Sequence, residues 1–312
     1  MRTLNEAFST LSVRRRYEVW FLRLGLADGT GAWWFRYLLM NPGRGGCVES
    51  PQGLPVQVWA TWFPAGDKPR TFVQGFPSSG LEFSRKGESP FRLKMDENEI
   101  GENFCRGALN VDGHRITWNL QYRSTFRVIL SSKGWIGFSR TPHSDAVFSG
   151  ETSLDGRSFA GDPLGFGVQG HNCGFRHRNF WRWAHACFIR SGKPTTTLEA
   201  LVYEMPLGFV FRKAVLWHES RSYMLNNLRE LRNRREEMQW VITGGRDDLQ
   251  LEVALDGSGP SLHRLPYLKT DCSGTFEVSN NSLASASVVI TRTDGSRETL
   301  QTGTGAVLEM VG

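Results

Sequence analysis

The chain has 312 residues, 39% of them hydrophobic and 12% aromatic, with 11 Trp, 20 Phe and a formal net charge of +6. This composition excludes a disordered chain, and no apolar run reaches the roughly 20 residues that a membrane-spanning helix needs. The positive surplus is spread along the chain without a nucleic-acid signature, so no nucleic-acid partner is expected.

The start, MRTLNEAFSTLSVRRR, carries Glu6 and no apolar core segment, which predicts no secretory leader. Runs rich in aromatic and β-branched residues follow at Tyr17 to Leu26, Ala32 to Met40 and Val56 to Phe63. They continue at Arg115 to Tyr122, Phe180 to Ile189, Thr197 to Met205 and Gln239 to Thr243. Asp-Gly steps punctuate them at Asp28-Gly29, Asp112-Gly113, Asp155-Gly156, Asp256-Gly257 and Asp294-Gly295. Asp-Gly supplies the positive φ angles that tight hairpins require. The pattern predicts a mainly β protein of consecutive antiparallel strands.

One closed barrel of eight to ten strands takes roughly 130 to 160 residues, so two fit this chain. The polar stretch Ser139 to Asp145, with Pro142, predicts the seam, giving units 1–142 and 143–312. One segment differs. His218 to Glu237 places Met224, Leu225, Leu228 and Leu231 at helical spacing opposite Arg221, Arg229, Arg232, Arg234 and Arg235. It predicts one short amphipathic helix near Ser222 to Glu236. Two readings of it stand: leucines packed on a barrel with charges in water, or a basic face in peripheral contact with anionic lipid. Five cysteines (Cys47, Cys105, Cys173, Cys187, Cys272) form an odd set without a CxxC pair. They predict reduced thiols and a cytoplasmic protein.

The richest stretch in chemistry is Gly165 to Arg190, GFGVQGHNCGFRHRNFWRWAHACFIR. A polar loop with His171 and Asn172 runs into a strand whose alternate residues are Trp181, Trp183, His185 and Cys187, all on one face. If that face lines a cavity, the tryptophans are its wall and the polar pair its rim, the layout of a site for a hydrophobic small molecule. The plainer reading makes both tryptophans core. His171, Cys173 and His177 lie close together but lack the four-ligand spacing of a structural zinc site, so no metal is expected. Gly165-Phe166-Gly167 leads into a strand rather than a helix, so no phosphate cradle and no cofactor are expected.

The run from Phe148, FSGETSLDGRSFAGDPLGFGVQGHNCG, resembles the start of the second domain of the hydroxyneurosporene synthase and tocopherol cyclase superfamily. The elements that carry it are Asp155-Gly156-Arg157, His171-Asn172-Cys173-Gly174 and Phe180-Trp181-Arg182-Trp183. The first hairpin, YEVWFLRLGLADGTGAWWFRYLLMNP, and the last strand, GTGAVLEMVG with its acidic Glu309, resemble the family's two ends. The resemblance implies two lipocalin-like antiparallel β-barrels in tandem and a hydrophobic ligand between or inside them. The family includes a hydratase and a cyclase of isoprenoid chains, pericyclic cyclases and lipid-binding members. Two positions depart from its pattern: Cys173 stands where the loop usually has tryptophan, and Gly170 where an acid can precede the histidine.

Hydration or cyclisation of an alkene needs a proton donor in a dry cavity and aromatic faces for the cation. The nearest match to the hydratase's acid is the pair Tyr203-Glu204. Glu204 shares a strand face with Leu198, Ala200 and Val202, which would desolvate it and raise its pKa. The expected catalytic set is therefore His171, Glu204 and Tyr203, with Asn172, Trp181, Trp183 and His185 binding the ligand. Three functions stay open: a cofactor-independent cyclase, hydratase or isomerase of an isoprenoid or polyketide-like substrate; a non-catalytic lipid or isoprenoid carrier; and a carbohydrate-binding β module.

Overall fold

Asp-Gly steps close four hairpins. Asp112-Gly113 and Asp155-Gly156 have positive φ at both positions, the left-handed pair that a tight two-residue turn needs. Asp256-Gly257 instead leaves a strand for a longer connection. In this computed structural model, residues 3–8, 14–84, 87–88, 90–132, 137–246 and 248–312 are described. Twelve strands among them form a first antiparallel sheet. They are β1 (Tyr17–Leu26), β2 (Gly31–Met40), β3 (Val56–Pro64), β4 (Arg70–Phe76), β5 (Leu81–Phe83) and β6 (Arg92–Met95), followed by β7 (Asn98–Gly101), β8 (Phe104–Val111), β9 (His114–Arg123), β10 (Val128–Ser132), β11 (Gly137–Leu154) and β12 (Arg157–Gly174). Ten more form a second. These are β13 (Trp181–Arg190), β14 (Lys193–Glu204), β15 (Val210–His218), β16 (Arg221–Leu225) and β17 (Arg229–Arg234), then β18 (Gln239–Arg246), β19 (Leu249–Asp256), β20 (His263–Leu268), β21 (Thr275–Arg292) and β22 (Arg297–Val311).

Each sheet curls around its own core, giving two lipocalin-like barrels in tandem. Trp20, Leu22 and Leu24 of β1 meet Trp33, Phe35 and Tyr37 of β2 inside the first. Ala184, Ala186 and Phe188 of β13 meet Leu198, Ala200 and Val202 of β14 inside the second. The opposite faces of the same strands are also apolar. Val19, Phe21 and Trp34 pack against Trp183, Leu201 and Val307 in a third core, between the barrels. Burying a large apolar side chain is worth about 1.5–3 kcal/mol, so these strands are stabilised from both sides.

Three expectations need correction. First, β11 and β12 pair with β9 and β1, so the sheets change between Gly174 and Trp181. Ser139 to Asp145, read as the seam, lies inside β11. Second, the segment expected as an amphipathic helix is strand. Glu219 and Ser220 take positive φ and turn the chain into β16, which pairs with β15, and β17 pairs with β18. Leu225 and Leu228 are buried, but Met224 is 39% and Leu231 60% exposed, so the apolar positions do not share one face. Sheet pairing here overrides helical spacing. Helix among the described residues is limited to short 3₁₀ turns such as Pro42–Arg44. Among the described residues no helix is long and apolar enough to cross a membrane.

Third, Cys47 and Cys272 form a disulfide, their Cα atoms 5.4 Å apart across 225 residues of sequence. It ties the loop after β2 to the loop between β20 and β21, a proximity that only the docked barrels create. Cys105, Cys173 and Cys187 are free and buried. Disulfides persist in oxidising compartments, so the cytoplasmic expectation loses the support it drew from reduced thiols. Denatured protein without reductant should expose three reactive thiols by Ellman titration, and five after reduction.

Arg23 crosses the seam from β1. Its Nη2 donates to the carbonyls of Ser282 and Thr304, each at 2.6 Å, and its Nε to Ser282 at 3.0 Å. Burial pushes its pKa down to about 10, yet it stays charged at neutral pH. A Cβ on Gly167 would lie 1.8 Å from the carbonyl oxygen of Arg23, so only glycine lets β12 approach β1 here. Hydrogen bonds to a charged group are worth about 1.5–3 kcal/mol each, and orphaned carbonyls add a penalty. Arg23→Met should therefore lower stability by about 3 kcal/mol, read as a reduced urea midpoint with little change in slope.

Candidate active site between the barrels

The outward faces of the seam strands do not close completely. They leave a cavity of about 540 Å³. The first barrel contributes Tyr17, Val19 and Phe21 of β1, Trp34 and Arg36 of β2, and Asn172 of β12. The second contributes Trp181 and Trp183 of β13, Leu201 and Tyr203 of β14, Tyr267 of β20 and Glu309 of β22. His177 and Arg178, in the link between the barrels, complete one side.

Glu309 is the acid of this cavity. It lies opposite Trp183 in the β13–β22 ladder and opposite Asn280 in the β21–β22 ladder. The indole N–H of Trp181 donates to Oε1 at 2.9 Å and the Asn280 amide to Oε2 at 3.3 Å. Burial raises its pKa above the usual carboxylate range, while Arg36 and these two donors act in the opposite direction. Around it the surfaces are aromatic. Tyr17 stacks on His177 at 4.1 Å, and Phe21 and Trp34 meet Trp183 edge-on at 5.3 and 5.9 Å. The Tyr203 hydroxyl hydrogen-bonds that of Ser131 at 2.9 Å. A protonated carboxyl within π surfaces is equipped to deliver a proton and to stabilise a cation that forms from it.

Of the residues expected from sequence, Asn172, Trp181, Trp183 and Tyr203 come together here. His171 does not. Consecutive strand residues face opposite sides, so while Asn172 faces the cavity, His171 turns into the first barrel at 0% exposure. Its Nδ1–H donates to the Leu4 carbonyl at 2.8 Å, and its Nε2 is hydrogen-bonded to Glu18 Oε1 at 2.8 Å. It stacks on Trp20 and anchors the N-terminal segment. The same alternation separates Glu204 from Tyr203: Glu204 is at the end of the face that carries Val202 into the second core, outside the cavity lining. His185 shares the tryptophan face but lies beyond the cavity. Its Nε2–H donates to the Ser144 carbonyl at 2.7 Å, and burial lowers its pKa to about 3.

Sequence reasoning did not select Glu309, Arg36, Tyr17 or His177 as site residues. Glu309 was visible as the acid of the closing strand, but its position opposite Trp183 needs the strand order. Arg36 is the one charge within the run AWWFRYLL, a signal that the sequence carries. No group of three or more His, Cys, Asp or Glu side chains that could hold a metal occurs among the described residues. His171 and His177 in particular lie in different environments.

The chain matches no protein-family profile and resembles no curated protein in sequence. Its fold is shared by solved structures. Kievitone hydratase from Nectria haematococca superposes with a TM-score of 0.59 at 11% identity, over 100% of this chain and 92% of that one. CghA superposes with a TM-score of 0.62 at 9% identity, covering 95% of this chain and 88% of its own. A putative AttH from Nitrosomonas europaea gives 0.51 at 11% identity, covering 95% and 92%. The likeness is one of fold.

Behind the cavity wall lies another acid, the fully buried Glu199. Its Oε1 accepts from the indole N–H of Trp183 at 2.9 Å and from the Thr141 hydroxyl at 2.8 Å. Its Oε2 has no partner among the described residues. Burial raises its pKa to about 7, against the pull of those two donors. The folded state thus holds a proton that the unfolded chain, with a carboxylate value of 4.5, releases earlier. The stabilisation is complete below pH 4.5 and disappears as pH rises through about 7, a swing of about 3 kcal/mol. Glu199→Gln mimics the protonated acid. It should remove most of this slope from a plot of unfolding free energy against pH.

Proposed function

We propose that this protein is a cofactor-independent acid catalyst, a cyclase, hydratase or isomerase of a hydrophobic isoprenoid or polyketide-like substrate held between the barrels. The observation that carries the reading is Glu309, a half-buried carboxyl in the cavity wall whose protonated form is favoured by desolvation among aromatic side chains. The protonated carboxyl gives its proton to an alkene carbon, and the π electrons of that alkene form the new C–H bond. The resulting carbocation is faced by Trp181, Trp183 and Tyr203, whose ring faces attract positive charge. An attacking water or a second alkene of the same substrate then closes the sequence, and the proton released returns to the Glu309 carboxylate. A fold shared with a protein named as a hydratase supports the reading.

The carrier reading has one observation in its favour: both oxygens of Glu309 already accept N–H donors. The carbohydrate reading has less, because Trp183 is buried in a cavity wall rather than displayed on an open platform.

Mass spectrometry of hydrophobic compounds extracted from the purified protein, followed by their incubation with fresh protein, tests the proposal. Hydration adds one water to the mass, cyclisation or isomerisation changes retention at constant mass, and a carrier returns the compound unchanged. Glu309→Gln keeps shape and hydrogen bonding without the acid. It should slow turnover by about a hundredfold or more, with a much smaller effect on binding. In the wild type, turnover should fall as pH rises through the raised pKa of Glu309, because the proton is then lost. Near-normal turnover by the variant would refute the assignment.

A further inference from the structure

We propose that the cavity takes a hydrophobic organic anion, an apolar body ending in a carboxylate, and that Arg36 receives the carboxylate. This rests on the reading of the cavity as a substrate site, and narrows the substrate's chemical class.

Charge balance is the first argument. Arg36, Arg176 and Arg178 line the cavity, and Glu309 is the one carboxylate side chain among its described lining residues. Glu309 is itself shifted toward its neutral form by burial. His177 adds no charge, because burial and the neighbouring Arg36 hold its pKa at about 3. The cavity is therefore net positive with an apolar interior.

The second argument is the state of Arg36. It is only 7% exposed, and its guanidinium lies over the rings of Trp59 and Tyr267, 5.0 and 4.3 Å from their centroids. Ring contacts engage the faces of the guanidinium, and its N–H edge has the Tyr267 side chain as one hydrogen-bond partner and room for a further acceptor. Its Nη1 has no hydrogen-bond partner among the described residues. Leaving a buried charged donor unpaired is costly, and an oxygen anion removes that penalty.

Further unpaired polar atoms belong to neighbouring lining residues. Trp34, two residues before Arg36 on the same face of β2, has an indole N–H without a partner among the described residues, and the same holds for His177 Nδ1 and Asn172 Oδ1. Phe21, Trp183 and Leu201 supply apolar surface for the rest of the molecule. A pure hydrocarbon would leave the N–H donors of Arg36 and Trp34 unsatisfied. A carboxylate satisfies donors on Arg36 and Trp34 in bidentate or bridging geometry.

A matched pair of probes tests this. Retinoic acid and retinol share a polyene body and differ in carboxylate against hydroxyl, and both are titrated against intrinsic fluorescence at pH 8. The expected result is binding of the acid about tenfold or more tighter than the alcohol. Arg36→Gln should bring the two within about twofold, mainly by weakening the acid. Arg36→Lys, which keeps the charge without the planar fork, should keep part of the preference and serves if the glutamine variant does not fold. Equal affinity of the two probes for the wild type overturns the anion inference and leaves the cavity as a site for hydrophobic ligands. A preference that survives intact in Arg36→Gln overturns the assignment to Arg36. Binding of neither probe overturns the inference together with the reading of the cavity on which it rests.

Discussion

The seam strands bury both of their faces, and the rest of the structure follows from that constraint. In β1, β2, β13, β14 and β22 one set of alternate residues fills a barrel core and the other fills the space between the barrels. Neither barrel can present that second set to water without exposing a large apolar patch. Docking is thus built into the strands themselves. Arg23 and the Cys47–Cys272 bridge add directional ties to this non-directional force. Arg23 is satisfied by carbonyls rather than by a carboxylate.

The cavity arises where two curved, aromatic-rich sheets meet and their side chains cannot interdigitate fully. Its location explains its chemistry. A carboxyl held in such a seam is partly or wholly withdrawn from water by apolar walls, so its charged form is disfavoured. Glu309 and Glu199 both experience this, at the wall and behind it. The two tryptophans that give the cavity its π surface are also the donors that orient these acids: Trp181 to Glu309 and Trp183 to Glu199. Aromatic wall and acid therefore form one hydrogen-bonded unit, and altering either disturbs the other.

Polar residues that share the tryptophan stretch of sequence have divided roles. His171 and Glu18 fasten the N-terminal segment inside the first barrel. His185 bonds across the seam to β11 through the Ser144 carbonyl. These are structural tasks, and they are why a cluster of histidines in sequence is not a cluster in space. The likeness in fold to a hydratase at 11% identity supports the architecture without transferring any residue's role.

The sequence by itself determined the fold class, because turn chemistry and two-residue alternation are local. Asp-Gly steps and aromatic runs revealed the hairpins, and the shared face of Trp181 and Trp183 followed from strand geometry. The sequence also held Asn172 and Tyr203, each one step away from a neighbour that faces the opposite side. Only the tertiary structure decided which side was which. It placed His171 and Glu204 outside the cavity and paired Trp183 with Glu309 across 126 positions. It turned the leucine-arginine segment into strands, because pairing to β15 and β18 outweighed helical spacing. It joined Cys47 to Cys272 and moved the change of sheet beyond β12. Strand order and register are long-range properties, set by how two sheets curl and dock, and no local pattern encodes them.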